Sequence, residues 1–409
     1  MNYVILIGIA LYFVVSALRG GATGWDFDGG RLSFRLADGA ETVRVRIDGD
    51  VDLEPDGSGV AALSSRGMLE IAATGNGVDR RVLFTSADGT IERQFFVEGD
   101  EQPWGPEADR FVAELMPIVL RETALNVEER VAWLLVNRGH AGVLDEIELI
   151  RSDLAQRLHT VEFARAADIA PADFDRLVRA IRDNMSSDFD ARTTLAAVFD
   201  EEMPAGPQFA ALLEAGETIS SDFDARSLLE HVAPRMPRTP EAARAYIALA
   251  RTISSDFDMR SALHPVVTDP DAPDELVASA IELAGSAISS DFDVRALLAD
   301  GARRVGSSDA IARAYTSAST SISSDFDQRE ALSALARDAE LSPVGWRLLL
   351  RAAHGISSDF DLAELLVGLA PSLPDDESVV DAYREALETI SNDFDYGRAA
   401  GALRRADGA

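Results

Sequence analysis

Apolar residues along this chain follow three different patterns in succession. Tyr3 to Leu18 form an unbroken apolar run, YVILIGIALYFVVSAL. From Trp25 to Gln102 apolar and polar residues alternate: Leu32, Phe34 and Leu36; Val43, Val45 and Ile47; Leu69 and Ile71; Val82 and Phe84; Phe95 and Val97. A period of two predicts half-buried strands. Between these runs fall Asp38-Gly39, Asp48-Gly49, Asp56-Gly57, Asn76-Gly77 and Asp88-Gly89, dipeptides that supply the positive φ of tight hairpin turns. They predict an antiparallel β module over residues 25–102, a compact sandwich or curled sheet leaning on the first helices. Pro103-Trp104-Gly105-Pro106 breaks the alternation. Beyond it the period is helical, beginning with Phe111 to Leu120 and Val127 to Val136, which predict a helical cap over 103–149.

From residue 150 onward the helical pattern repeats. The Asp that follows a Ser pair, or Ser-Asn in the last copy, recurs at Asp188, Asp222, Asp256, Asp291, Asp325, Asp359 and Asp393, at intervals of 34 or 35 residues. A weaker copy, Ile150 to Arg157, stands 35 residues before Asp188. A period of this length marks stacked two-helix units whose terminal copies diverge, so 150–409 is predicted to be a right-handed-type α-solenoid of about eight repeats. In one unit, Pro240 to Ile253 carries Ala243, Ile247, Ala250 and Ile253 at helical spacing behind an initiating proline. Pro171, Pro207, Pro273, Pro343 and Pro374 open the equivalent segments. The whole chain is therefore α+β, mainly α.

The second helix of each unit begins at the motif. In Ser255-Asp256-Phe257-Asp258 the Ser is expected to accept from the third helical amide while Asp258 reaches back, an Asp form of the capping box. The dipole favours both carboxylates in the first turn, and Asp256 precedes Arg260 at the i,i+4 spacing of an ion pair. Phe257, Leu263 and Ile253 are expected to lock the two helices together. The same cap is assigned to Ser187, Asp188 and Asp190; to Ser221, Asp222 and Asp224; to Ser290, Asp291 and Asp293; to Ser324, Asp325 and Asp327; to Ser358, Asp359 and Asp361; and to Asp393 and Asp395. Stacked at the usual helix separation of ~10 Å, these copies form an acidic row. Arg192, Arg226, Arg260, Arg295 and Arg329 partly neutralise it, alone or as an inter-repeat ladder, whereas Ala363 and Gly397 stand in the Arg position of the last two copies. Asp359, Asp361, Asp393 and Asp395 thus become the candidate contact for a basic partner. Calcium needs six to eight converging oxygens, and two Asp at i,i+2 diverge, so it is the weaker reading of the row.

Composition narrows the function classes. The net charge of -32 comes with no Lys at all, which argues against a nucleic-acid backbone as partner. With no Cys there is no disulfide, thiol nucleophile or thiolate metal site. His140, His159, His231, His264 and His354 are scattered and read as surface or helix-end residues rather than ligands. No P-loop, Gly-x-Ser-x-Gly elbow or His-Glu-x-x-His pair occurs, so no enzyme and no cofactor are expected. The apolar run over residues 1–24 reads as a signal peptide or membrane anchor with a flexible linker. It is short for a span of ~20 residues, and no Arg or Lys precedes it. Val15-Ser16-Ala17 and Gly20-Gly21-Ala22 suit cleavage, while Arg19, Arg31 and Arg35 pull toward a cytoplasmic C-terminal side. Placement outside the cytoplasm is the preferred reading.

The unit length resembles that of tetratricopeptide and HEAT-type α-solenoids, although the tetratricopeptide Trp, Gly and Tyr signature is missing. The phrase Ile219-Ser220-Ser221-Asp222-Phe223-Asp224-x-Arg226 resembles the Ser-Asp-Phe/Tyr-Asp repeats of uncharacterised bacterial membrane-associated proteins, some of which carry metallopeptidase domains. That resemblance covers residues 106–400 and implies interaction rather than chemistry. The sequence therefore points to a membrane-associated or exported scaffold that offers a helical-repeat surface to a protein or peptide. Self-assembly into a filament or surface layer is the alternative, and a calcium-binding repeat protein a third.

Overall fold

A computed structural model describes residues 24–407, apart from 29–30, 39–40, 76, 88 and 307. The readings of residues 1–23 and of the Asp38-Gly39 turn fall outside the described residues. Two compact units divide the chain, Met1–Glu202 and Met203–Ala409.

Among the described residues the first unit opens with nine strands. Seven form one antiparallel sheet in the order β1 (Gly24–Asp28), β2 (Arg31–Asp38), β3 (Glu41–Asp48), β6 (Met68–Gly75), β7 (Val78–Ala87), β8 (Thr90–Val97) and β9 (Asp100–Gln102). The other two, β4 (Val51–Leu53) and β5 (Val60–Leu63), pair with each other. Register places Phe34, Val45, Ile71, Val82 and Phe95 opposite one another across five strands, and each is at most 2% exposed. Alternation with polar residues therefore gives the sheet one apolar face. The helix Pro106–Thr123 covers it with Phe111, Val112, Met116, Val119 and Leu120. A sandwich, one of the two expected forms, is not what the β module builds. Its long strands pair into a single antiparallel sheet, and an amphipathic helix supplies the second layer.

Asn126 and Arg130 tie the β module to the helical cap. The amide of Leu53 donates to Asn126 Oδ1 at 3.0 Å. Arg130 donates to the Pro55 carbonyl at 2.7 Å and to Glu146 Oε1 at 2.8 Å, with both side chains of the ion pair buried. The helical stretch Val127–Leu149 is broken at Gly139, whose φ of 65° and ψ of -169° suit glycine alone. Gly139→Ala should cost about 1–3 kcal/mol, read as a lowered midpoint in urea. Nothing crowds a Cβ there, so an unchanged midpoint would show that the kink is not required.

Two-helix units follow. Asp153–Ala166, Pro171–Asn184 and Asp188–Glu202 complete the first unit. The second contains six repeats: Gly206–Gly216 with Asp222–Val232, Pro240–Thr252 with Asp256–Thr268, Asp274–Ala287 with Asp291–Val305, Asp309–Ser319 with Asp325–Asp338, Pro343–Ala353 with Asp359–Leu369, and Glu377–Leu387 with Asp393–Asp407. Within it each helix packs against the helix two further along, so first helices stack on first helices and motif helices on motif helices. This is the two-layer arrangement of an α-solenoid. Pro240 and Pro343 open their helices, whereas Pro374 lies ahead of Glu377–Leu387 and Asp376 caps it. Fully buried tyrosines bind the layers: the Tyr246 hydroxyl donates to the Ala262 carbonyl at 2.6 Å and Tyr315 to Ala331 at 2.8 Å.

Candidate functional site: the motif edge

Each motif helix starts at its second Ser or its equivalent. Ser255 Oγ accepts from the amide of Asp258 at 3.3 Å, and Ser187, Ser221, Ser290, Ser324 and Ser358 do the same one repeat after another. In the last copy Asn392 takes over, accepting from the amides of Phe394 and Asp395. The cap needs only one hydroxyl. The other Ser of each pair serves a different contact.

That contact crosses to the neighbouring repeat. Asp256 accepts from the Ser289 amide at 3.0 Å, the Ser289 hydroxyl at 2.8 Å and the Ser290 amide at 2.9 Å. Asp222 holds Ser254 and Ser255 in the same way, Asp291 holds Ser323 and Ser324, and Asp359 holds Ser391 and Asn392. Asp325 takes the amide and hydroxyl of Ser357. In the first unit Asp153 does this for Ser186 and Ser187. One step earlier the fully buried Glu122 accepts from the amides of Arg151 and Ser152. The ladder therefore begins inside the cap, on a residue that carries no motif. Asp393 has no such contact among the described residues.

The second Asp of the motif also faces a neighbouring repeat. Arg226 pairs with Asp258 at 3.1 Å, Arg260 with Asp293 at 2.8 Å, Arg295 with Asp327 at 2.7 Å and Arg329 with Asp361 at 2.7 Å. In the first unit Arg157 pairs with Asp190 at 2.7 Å. The Nε–H groups of Arg226, Arg260 and Arg295 do not point at the oxygens, so those contacts are electrostatic rather than hydrogen bonds. These pairs form the inter-repeat ladder that the sequence offered as one alternative, and two local expectations are corrected. Arg260 reaches the following repeat instead of Asp256 in its own turn, and Asp258 meets Arg226 of the preceding repeat instead of folding back onto its own cap. The neighbouring carboxylate lies within reach of the long Arg side chain across two stacked helices.

The same register changes the reading of the last two copies. Because each Arg serves the next motif, Asp361 is paired by Arg329 although Ala363 stands in its own copy. Asp395 is contacted by Arg398 at 3.3 Å, which also binds Glu364. Asp359 is engaged by Ser391 and Asn392, so Asp393 alone of the four candidate carboxylates keeps no partner among the described residues. The row is not left more acidic at its C-terminal end in the way the missing Arg residues suggest.

The electrostatics follow burial. At Asp222 and Asp291 burial raises the carboxyl, but the Ser amides and hydroxyls outweigh it and hold both below the usual carboxylate range. At Asp359 the Ser391 hydroxyl leads the same downward pull. Asp153 is more deeply set. There burial dominates, the Ser186 bonds only oppose it, and the carboxyl lies above its ordinary value. The row brings no third ligand to any Asp pair, and no group of three His, Asp or Glu converges anywhere among the described residues.

Phe257, expected to lock the helices, is 53% exposed, in contrast to Ile253 and Leu263, which are buried. Phe223, Phe292, Phe326 and Phe360 are similarly half-exposed, and Phe394 is 73% exposed. Guanidinium groups lie between these rings. Arg226 sits 5.0 Å from the Phe223 centroid and 5.5 Å from that of Phe257, and Arg260 sits 5.4 Å from Phe257 and 6.0 Å from Phe292. Arg295 covers Phe292, Arg329 covers Phe326, and Arg398 lies between Phe360 and Phe394. The result is an edge of alternating phenyl and guanidinium groups, with every Arg held by an Asp. Cation–π contact of about 0.5–1 kcal/mol per pair at exposed sites explains the order of the rings. It leaves a row of half-exposed phenyl rings in water.

One further residue departs from its sequence reading. His159, expected near the surface, is fully buried in Asp153–Ala166. Its Nδ1 lies 2.9 Å from the Ala155 carbonyl, and Nε2 finds no partner among the described residues. Burial pushes the imidazole down to about 4, against the opposing pull of Ala155 and Glu146. His231, His264 and His354 are exposed and His140 is half-buried, consistent with a surface position.

Fold and site together define an α-solenoid of two-helix repeats with a β module at its N-terminal side. No family model and no curated protein matches the sequence. Among solved structures, a computationally designed self-assembling cyclic homo-oligomer is 17% identical, with 73% of this chain and 99% of that chain covered, at a TM-score of 0.14. A score so low describes no shared architecture.

Proposed function

We propose that this protein is a non-enzymatic scaffold that presents the motif edge of its helical repeats to a protein partner. The observation that carries this reading is the aromatic row: six half-exposed or more exposed phenyl groups, Phe223 to Phe394, on one edge of one unit. Exposed apolar surface on this scale marks interaction sites in folded proteins, and stacked repeats are well suited to extended partners. The N-terminal apolar run would hold the scaffold at a membrane or direct it out of the cytoplasm. Among the described residues no helix is long and apolar enough to cross a membrane.

The test is cross-linked capture from cells that make the protein, with the full chain as bait beside a Phe257→Ser/Phe292→Ser/Phe326→Ser variant. Proteins held by the native chain and lost by the variant are the expected result; an identical set for both removes the edge as the binding surface. Self-association is the second reading, favoured by Phe394 and by Tyr396, which is 42% exposed where the equivalent Leu362 is buried. Sedimentation that depends on concentration, and that is abolished by Tyr396→Ser, separates it from the first.

A further inference from the structure

The spacing of the aromatic row says what kind of chain fits it, on the reading that this edge is the binding surface. Because Arg226 lies 5.0 Å from one ring centroid and 5.5 Å from the next, and Arg398 lies 6.0 Å and 5.9 Å from the last two, adjacent rings are at most ~12 Å apart, and the roughly 8–10 Å separation of stacked helices sets their spacing within that limit. A polyproline II helix rises 3.1 Å per residue with three residues per turn, so it brings an equivalent side chain to the same face every ~9 Å. A β-strand turns every second residue to one face, at ~7 or ~13 Å, and falls out of step with the row. An α-helix matches only at every seventh residue and needs an apolar groove wider than one ring. Here Ser, Asp and Arg flank each Phe, so the apolar strip is a single ring wide.

Charge decides the rest. From Asp222 to Arg329 each repeat sets two carboxylates and one guanidinium along the strip, as in Asp256, Asp258 and Arg260, and the Asp359 copy, with Ala363 in the Arg position, sets two carboxylates alone. At least one negative charge per repeat is left over. The Arg groups are already paired with Asp, so they are not free to attract an acidic ligand.

We propose that the row Phe223–Phe257–Phe292–Phe326–Phe360–Phe394 binds a basic, proline-rich peptide in the polyproline II conformation, with one triplet per repeat. Prolyl rings lie on the phenyl faces, as in other aromatic-lined polyproline sites. A cationic side chain in each triplet meets the surplus carboxylate.

The experiment is fluorescence anisotropy of labelled peptides against the full chain at 150 mM salt. The probes are (Pro-Pro-Arg)6, (Pro-Pro-Arg)3, a scrambled peptide of the composition of (Pro-Pro-Arg)6, and an amphipathic helical peptide of equal charge. Six triplets should bind at least tenfold more tightly than three and at least tenfold more tightly than the scrambled peptide. The triple Phe→Ser variant should lose at least tenfold of that affinity. Equal binding of the ordered and scrambled peptides would reduce the interaction to net charge and overturn the proposal, as would no binding of (Pro-Pro-Arg)6. The length comparison uses only the native chain, so it stands even if the variant folds poorly. Should the helical peptide bind in a Phe-dependent way while (Pro-Pro-Arg)6 does not, the polyproline ligand falls and the aromatic edge remains a binding surface. If neither peptide binds and capture from cells is unaffected by the Phe substitutions, the scaffold reading falls with it.

Discussion

Asp256→Ala is expected to destabilise the second unit by about 2–3 kcal/mol, more than twice the ~1 kcal/mol expected for the neighbouring cap variant Ser255→Ala. The cap variant leaves one helical amide without its local acceptor, at a helix end where water substitutes easily. Removing the Asp256 carboxylate strips the acceptor from two amides and one hydroxyl of the next repeat at once. The Ser290 amide among them is partly buried, so water replaces its bond less readily. A repeat stack is held together by nearest-neighbour interfaces, so the loss falls on the junction between two repeats. Urea unfolding followed by circular dichroism should show a broadened or two-step transition for Asp256→Ala and a simple shift for Ser255→Ala. Equal small shifts for both would mean that the motif is only a helix cap.

The second large effect is acid sensitivity of the first unit through His159. The unfolded imidazole titrates near its ordinary value of 6.5, while burial holds the folded one near 4. Between those values the unfolded chain takes up a proton that the folded chain does not, so stability falls as pH falls from about 6.5 to about 4. The full difference is about 3 kcal/mol. The charged groups acting on the ring are Glu146, Arg130 and Arg121, and the Arg130–Glu146 pair is itself buried. Denaturant midpoints of the native chain and His159→Leu, measured at several pH values, should diverge progressively below pH 6.5, with the native chain falling faster. Parallel curves would show that the imidazole does not carry the acid response. The ladder carboxylates Asp222 and Asp291 act at lower pH. Their depressed folded values contribute stability above the ordinary carboxylate range that is lost as pH drops through them.

The repeat and its helices were legible because they depend on local spacing. A 34-residue period, Ser before Asp-Phe-Asp and proline before several first helices are all properties of contiguous residues. The Arg partners were legible as one of two alternatives, the inter-repeat ladder, but the Ser partners of the first Asp were not, because capping and dipole arguments already give each carboxylate a local task. One signal was present in the serine pair: a cap uses a single hydroxyl, which leaves Ser254 unexplained until Asp222 is seen to bind it. The exposure of Phe257 was also within reach of the sequence, although the residue was expected to lock the helices. It lies off the stripe formed by Met259, Ala262, Leu263 and Val266, all buried, and helical periodicity alone places it outside the core. Glu122 had no signature, since it takes the place of a motif Asp from a different helix. The buried His159 sits at a helical position that a buried Leu would fill equally well. In the β module the alternation fixed the strand faces, but the layer that covers them depends on how Pro106–Thr123 folds back.

The central claim is that the carboxylates of each motif serve neighbouring repeats, while its Ser caps the motif's own helix. A pair of double-mutant cycles tests it most directly, with Arg260 combined first with Asp293 and then with Asp256. A coupling energy of about 0.5–1 kcal/mol is expected for the first pair, in line with a partly exposed ion pair, and none for the second. Coupling of Arg260 to Asp256 with additivity toward Asp293 would contradict the account.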